Sequence, residues 1–165
     1  MPTMSRRVRR WAGRTAIATG VAAASVGSGA IADVKTSTRI QTYSVGGTTA
    51  NTLVSYMRSN PFHGSRGDAV ANIRPDYRLN IASRQSGGTC RASNVTLNID
   101  FVMTLPKARN QLDSTTRSAW NAFVAFTQRH EETHRSIYVK CGNDFVAKAE
   151  RLSAATCSAL DAAIR

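Results

Sequence analysis

Residues 120–141, WNAFVAFTQRHEETHRSIYVKC, decide the fold, because their apolar side chains recur at the spacing of an α-helix. The pattern begins after Asp113 or Ser114, either of which can cap the helix, and it predicts a stripe that packs on a sheet. Two histidines continue that stripe, so we expect them to be buried and satisfied by one metal ion. The stripe comprises Trp120, Phe123, Val124, Thr127, His130, His134, Ile137, Tyr138 and Cys141.

The same helix contains the pattern H-E-x-x-H, from His130 to His134. Residues four apart share a helix face, so both imidazoles can bind one zinc ion. Glu131 then lies beside the metal, where its carboxylate can take a proton from a zinc-bound water that attacks a carbonyl. The pattern predicts a zinc-dependent metallopeptidase with Glu131 as the catalytic residue and a peptide or protein as substrate. Tyr138, one turn later, could stabilise the oxyanion or simply pack in the core.

The third zinc ligand needs a separate prediction, since catalytic zinc normally takes three protein ligands and keeps one position open. The extended metzincin pattern requires glycine at 137 and histidine at 140, but Ile137 and Lys140 stand there. A glutamate on the following helix is another common solution, which points to Glu150. That residue could equally be an ordinary exposed helix charge. The alternatives left open are Asp144, Cys141 and His63.

The chain before Asp113 is expected to supply a sheet and one short helix. Strands are predicted at residues 39–45, 70–73, 77–82 and 95–103. Pro106 is expected to close the last of them. Thr48 or Thr49 can cap a helix that continues to about Arg58. The polar segment 62–68, FHGSRGD, is expected to be a flexible loop.

At the other end, the run Gly142-Asn143-Asp144 is expected to interrupt the long helix. A second helix should then run from about Asp144, which could cap it, to Ile164. The prediction is one α+β domain: a small twisted, antiparallel-rich sheet packed on the H-E-x-x-H helix and a C-terminal helix.

Residues 1–32 are typical of a secretory signal peptide. An apolar run of small residues from 16 to 32 ends in Ala30-Ile31-Ala32, a cleavage pattern, and it is too short and too polar to span a membrane. We expect export to the periplasm or beyond, with no stable membrane anchor after cleavage, and a mature domain at 33–165. The basic region before the apolar run contains Arg6, Arg7, Arg9, Arg10 and Arg14.

The charge of the mature part constrains its partners. Loss of those five arginines lowers the net charge from +12 to +7, with 17 basic and 10 acidic residues remaining. The basic residues are scattered and no recognition module is visible, so we expect no nucleic-acid binding and a monomeric protein. The alternative function is a non-catalytic exported module, with structural zinc or none, whose basic surface binds polyanions of the cell envelope.

Three cysteines remain in the mature part, and an oxidising compartment leaves one of them unpaired. A bridge from Cys90, in a glycine-rich turn, to Cys157 would tie the C-terminal helix to the sheet and stabilise it by about 4 kcal/mol in the loop-entropy model. Cys141 would then be free. It could instead be the partner of Cys157, or a metal ligand on the face of His134.

Several of these features together resemble a bacterial family of predicted secreted zinc-dependent proteases, also described as a domain of unknown function, DUF922. The similarity covers most of residues 38–160, and H-E-x-x-H is its chemically specific part. It implies a zincin-like fold with His130 and His134 as zinc ligands and Glu131 as the catalytic carboxylate. The features are Tyr43-Ser44-Val45-Gly46-Gly47, Cys90 before a long alternating strand, Leu105-Pro106, Trp120, Phe123, His130 to His134, and Cys157.

Overall fold

The structure, a computed structural model, describes residues 33–65 and 67–165, so the predicted signal peptide lies outside the described residues. The described part is an α+β domain, as the sequence predicts. Its elements are β1 (Asp33–Val45), α1 (Ala50–Ser59), β2 (Phe62–Gly64), β3 (Gly67–Ala69), β4 (Asn72–Ser86), β5 (Thr89–Ala108), α2 (Ser114–Ala149), β6 (Ser153–Ala154) and α3 (Cys157–Ile164). In this part of the chain, no helix is both long and apolar enough to cross a membrane.

The main sheet has the order β1-β5-β4, with β6 paired to the start of β5. β5 is antiparallel to β4 and to β6 but parallel to β1, so the sheet is mixed. The alternation predicted for 95–103 is confirmed. Pro106 does not close the strand: β5 continues to Ala108, because β1 pairs with it from Thr96 to Ala108. One face of β5 forms the core through Val95, Leu97, Ile99, Phe101, Met103 and Leu105.

Helix α1 begins where the sequence predicts. The Thr49 hydroxyl accepts a hydrogen bond from the Thr52 backbone N–H at 3.3 Å, and the Thr52 hydroxyl accepts one from the Thr49 N–H at 3.0 Å. This reciprocal pair closes the first turn, and Asn60 caps the other end.

The segment 62–68, predicted as a flexible loop, contributes strands instead: β2 (residues 62–64) and β3 (residues 67–69) pair as an antiparallel hairpin. The Phe62 ring stacks on Tyr43 of β1 with 4.9 Å between ring centroids. Across the hairpin, His63 Nδ1 lies 2.8 Å from Asp68 Oδ1. A polar composition predicts a loop, but these two contacts hold the segment in strand pairing against the sheet.

The predicted break at Gly142-Asn143-Asp144 is wrong, because α2 continues through it to Ala149. Gly142 lies close to the sheet: a Cβ at that position would be 3.1 Å from Leu97 Cδ2 and 3.2 Å from Ile99 Cδ1, tighter than ordinary contact. The glycine therefore lets the helix approach the sheet and does not end it.

The predicted second helix from 144 to 164 is correspondingly shorter, since α3 spans only Cys157–Ile164. Its cap is Thr156, whose hydroxyl accepts a hydrogen bond from the Ala159 N–H at 3.1 Å. Asp144 is inside α2 and does not cap a helix; its carboxylate pairs with Lys140 at 3.0 Å.

The buried face of α2 is rotated relative to the predicted stripe. His130, His134 and Cys141 are exposed, and Ile137 is 54% exposed, so the expectation of two histidines in the core is wrong. Successive residues of a helix are about 100° apart around its axis. A small error in the predicted orientation of the helix therefore changes which side chains are buried and which are exposed. The buried residues are Thr127, Glu131, Gly142, Val146 and Ala149.

Arg135 holds α2 in this rotation. Its Nε donates a hydrogen bond to Thr38 Oγ1 at 3.0 Å, and its Nη2 donates one to Thr36 Oγ1 at 3.1 Å, both on β1. The guanidinium also lies over the Phe101 ring, 5.5 Å from its centroid. These contacts turn Glu131 toward the interior and leave the histidines at the edge of the helix–sheet interface.

The predicted disulfide is confirmed. Cys90 and Cys157 are bonded, with 5.1 Å between their Cα atoms, and Cys141 is the free cysteine among the described residues. The bridge joins the start of β5 to the start of α3, so it ties the C-terminal helix to the sheet.

Candidate metal centre

The two histidines of H-E-x-x-H face each other on α2. Their Nε2 atoms lie 3.1 Å apart, and the ring planes are inclined by 83°. Two nitrogen ligands of a tetrahedral zinc ion lie about 3.3 Å apart when each Zn–N bond is 2.0–2.1 Å. The spacing of His130 and His134 therefore fits two ligands of one zinc ion. It also fits a hydrogen bond in which one imidazole donates its N–H to the other ring.

Glu131 lies between the histidines in sequence but points inward, and it is 5% exposed. Among the described residues, no hydrogen bond or ion pair involves the Glu131 carboxylate. Every fully enclosed side-chain oxygen or nitrogen among these residues has a hydrogen-bond partner, so the Glu131 oxygens are not fully enclosed. Its oxygens therefore keep contact with the adjoining cleft. Burying a carboxylate without a protein hydrogen-bond partner costs free energy. The Glu131 carboxylate is therefore available to accept a hydrogen bond from a ligand in the cleft.

A cleft of about 410 Å³ adjoins the histidines and Glu131. Its helical wall also includes Ile137 and Tyr138. The opposite wall is formed by the β2–β3 hairpin and the start of β4, through Gly64, Ser65, Gly67, Asp68, Ala69, Ala71, Asn72 and Ile73. The volume is in the range of sites that enclose a small ligand or a few residues of a peptide.

The wall opposite the helix is held by polar contacts. Asn72 Oδ1 accepts a hydrogen bond from the Ser65 backbone N–H at 3.2 Å, and Asn72 Nδ2 donates one to Ser65 Oγ at 3.3 Å. Asp68 lines the cleft and pairs with His63, which lies outside the cleft lining. Sequence reasoning missed Asp68, because it placed the residue in a flexible loop. Its position in a polar segment that also contains His63 was the available signal.

The structure does not bring Glu150 to the histidine pair. Glu150 caps the C-terminal end of α2, and the helix is continuous from His134 to that point. At 1.5 Å per residue the two residues are about 24 Å apart along the axis. A glutamate ligand on a following helix requires the chain to turn back, and α2 does not.

The other candidate ligands are also separate from the pair. Cys141 does not line the cleft, and Asp144 pairs with Lys140. Within residues 33–65 and 67–165, no group of three or more His, Cys, Asp or Glu residues is arranged to hold a metal ion. Tyr138 lines the cleft, and its ring lies 6.1 Å from that of Phe101, so it both packs on the core and faces the site.

Comparison with known proteins identifies the family. The profile of DUF922, described as bacterial protein of unknown function, matches residues 40–165. The match covers most of the chain, which therefore belongs to this family. Comparisons with curated proteins and with solved structures give no match.

Proposed function

We propose that this DUF922 protein is an exported zinc-dependent metallopeptidase, in which His130 and His134 hold zinc and Glu131 is the catalytic base. The observation that carries the proposal is the 3.1 Å separation of the two Nε2 atoms, beside a cleft that a buried glutamate also lines. The Cys90–Cys157 disulfide supports export, since such bonds persist in oxidising compartments.

When bound, zinc supplies a Lewis acid that polarises a peptide carbonyl and lowers the pKa of a water molecule to about 7. The Glu131 carboxylate, which has no protein partner, accepts the proton of the attacking water and passes it to the leaving amine. Tyr138, from the same wall, can donate a hydrogen bond to the developing oxyanion.

For the third ligand we favour Asp68. It is the acidic residue that lines the cleft from the wall opposite Glu131, and carboxylate oxygen is an ordinary zinc ligand. Its partner His63 would act as the supporting group that orients a ligating carboxylate. Assigning the third ligand to Asp68 and not to Glu150 avoids a ligand about 24 Å from His134 along the helix axis. Asp68 would have to move toward the histidines when zinc binds, because no three His, Cys, Asp or Glu residues among the described residues are already arranged to hold a metal ion.

The test of catalysis is Glu131→Gln, assayed for hydrolysis of an unfolded protein substrate. Glutamine preserves the shape of the side chain but cannot accept the proton, so we expect hydrolysis to fall by about 100-fold or more, with zinc content unchanged. The matched control is Glu132→Gln, since Glu132 is 43% exposed and pairs with Arg135 at 3.8 Å. Equal rates for wild type and Glu131→Gln would contradict the mechanism.

The competing function, a non-catalytic module with structural zinc, makes a different prediction for the metal. A structural site is closed by four protein ligands, whereas a catalytic one leaves a position for water. Absorption spectra of a cobalt-substituted sample distinguish the two. Four protein ligands, together with no hydrolysis of any substrate, would replace the peptidase proposal with the structural one.

A further inference from the structure

We propose that the end of the β4–β5 hairpin carries a binding site for a phosphate or sulfate group, formed by Arg84 and Arg91 and separate from the histidine cleft. The strand register places Arg84 directly opposite Arg91 in the antiparallel pair. Directly opposed residues point to the same face of a sheet, so the two guanidinium groups leave the sheet side by side.

The surroundings of the pair suit an oxyanion. The two arginines line a surface pocket of about 440 Å³, and the three hydroxyl groups in its lining belong to Ser86, Thr89 and Ser93. No acidic residue lines this pocket. In the described part of the chain, no ion pair involves either arginine. Guanidinium groups bind tetrahedral oxyanions through paired hydrogen bonds, and hydroxyl groups can donate to the remaining oxygens.

The backbone that carries the two arginines is braced on both sides. Gly87 and Gly88, with φ of 57° and 78°, form the tight turn that joins the two strands. On its other side Arg91 pairs with Ser153 of β6, and the neighbouring Cys90 is bonded to Cys157. Like charges directly opposed across a strand pair are unfavourable, and a bound anion converts that repulsion into attraction.

The site lies far from the cleft. Asn72, at the start of β4, lines the cleft, whereas Arg84 is near the other end of that strand, roughly 40 Å away at about 3.3 Å per residue. Anion binding here therefore does not depend on zinc or on catalysis. A site of this chemistry would hold the protein on a phosphate-bearing or sulfate-bearing partner while leaving the cleft accessible.

The test compares the purified protein with Arg84→Gln/Arg91→Gln, using inorganic phosphate at constant ionic strength. The matched control is Arg58→Gln/Arg151→Gln, which removes the same charge at two exposed residues outside the pocket. We expect saturable shifts of the amide resonances of 84–91 in wild type and control, and at least a tenfold loss of affinity in the pocket variant. Equal affinities for the two variants, or no saturable binding by wild type, would overturn the proposal.

Two further arms complete the experiment. Arg84→Lys/Arg91→Lys keeps both charges but loses the guanidinium fork, so its affinity should lie between those of wild type and the glutamine variant. Vesicles containing phosphatidylglycerol replace inorganic phosphate in the second arm. Tighter binding to vesicles that depends on the arginine pair assigns the group to a lipid headgroup, and tighter binding to phosphate assigns it to a soluble anion. If the double variant does not fold, Arg91→Gln alone gives the same comparison.

Discussion

Gly142 is where helix α2 packs closely on the sheet. A Cβ at this position would meet Leu97 and Ile99, whose side chains are buried in the core and 7% and 0% exposed. We therefore predict that Gly142→Val lowers the free energy of unfolding by about 1–3 kcal/mol, the usual cost of overpacking. Urea denaturation measures the change.

The matched control for that substitution is Asn143→Val, because Asn143 is the next residue of the same helix and is exposed. It introduces the same β-branched side chain without the clash, so its effect should stay within a few tenths of a kcal/mol. If both variants lose the same stability, the loss is not specific to close packing at Gly142.

The individual residues of the site were predictable only in part. H-E-x-x-H singles out His130, Glu131 and His134, because the spacing itself suggests the chemistry, and the structure places all three at one cleft. Which of the three is buried was not predictable from the sequence. Ile137 is apolar but exposed, so its presence made the predicted buried face include the histidines. The true rotation depends on contacts of Arg135 with β1, which no local pattern contains.

Among the elements, α2 depends on how it begins. The Asp113 carboxylate accepts hydrogen bonds from the Thr116 backbone N–H at 2.9 Å and from the Thr116 hydroxyl at 2.7 Å. These bonds favour the charged form and lower the pKa of Asp113. A carboxyl group with a lowered folded-state pKa stabilises the fold above its unfolded pKa, and the contribution disappears as pH falls through the folded value.

We therefore predict that Asp113→Ala lowers the melting temperature at pH 7, and that its difference from wild type shrinks as the pH falls below 4. Asp113→Asn is the control, because asparagine caps helices as well as aspartate does at neutral pH. Thermal unfolding followed by circular dichroism gives both comparisons. A difference between Asp113→Ala and wild type that is independent of pH would show that the charge of the cap is unimportant.

The β2–β3 hairpin is the element that supplies the wall opposite the histidines. If Asp68 is the third ligand, Asp68→Asn should weaken zinc binding by at least tenfold, measured by competition with a chelating dye. Asp161→Asn is the control, since that carboxylate is on α3 and pairs with Arg165 at 2.8 Å. Unchanged affinity in Asp68→Asn would remove Asp68 from the metal site, without affecting the assignment of the two histidines.

For the molecule as a whole, the sequence indicated the fold class, the approximate positions of the main strands and the disulfide. It did not indicate the parallel pairing of β1 with β5, because that register joins segments far apart in the chain. The cleft was unpredictable for the same reason: it forms where strands β2 and β3 meet α2. Alternation and helical spacing are local, whereas the site is assembled by the topology.

Whole-molecule architecture also explains how the two proposed sites coexist. The disulfide and β6 brace the hairpin end of the sheet, and the histidine cleft lies where β4 begins. Loss of the disulfide would lower the stability of the whole domain by removing a constraint on the unfolded chain, but it would remove no direct contact in the cleft. Each site can therefore be altered by substitution without removing the other.

The most direct test of the central claim is the zinc content of the purified, tag-free protein by elemental analysis, after dialysis against a weak chelator. We predict about one zinc per chain in wild type and in the exposed control Glu132→Gln, and none in His134→Ala, because the paired imidazoles on α2 form the core of the site. Wild type should also melt at a higher temperature with zinc than without it. Wild-type protein that contains no zinc, and whose melting temperature does not change when zinc is added, would contradict the account.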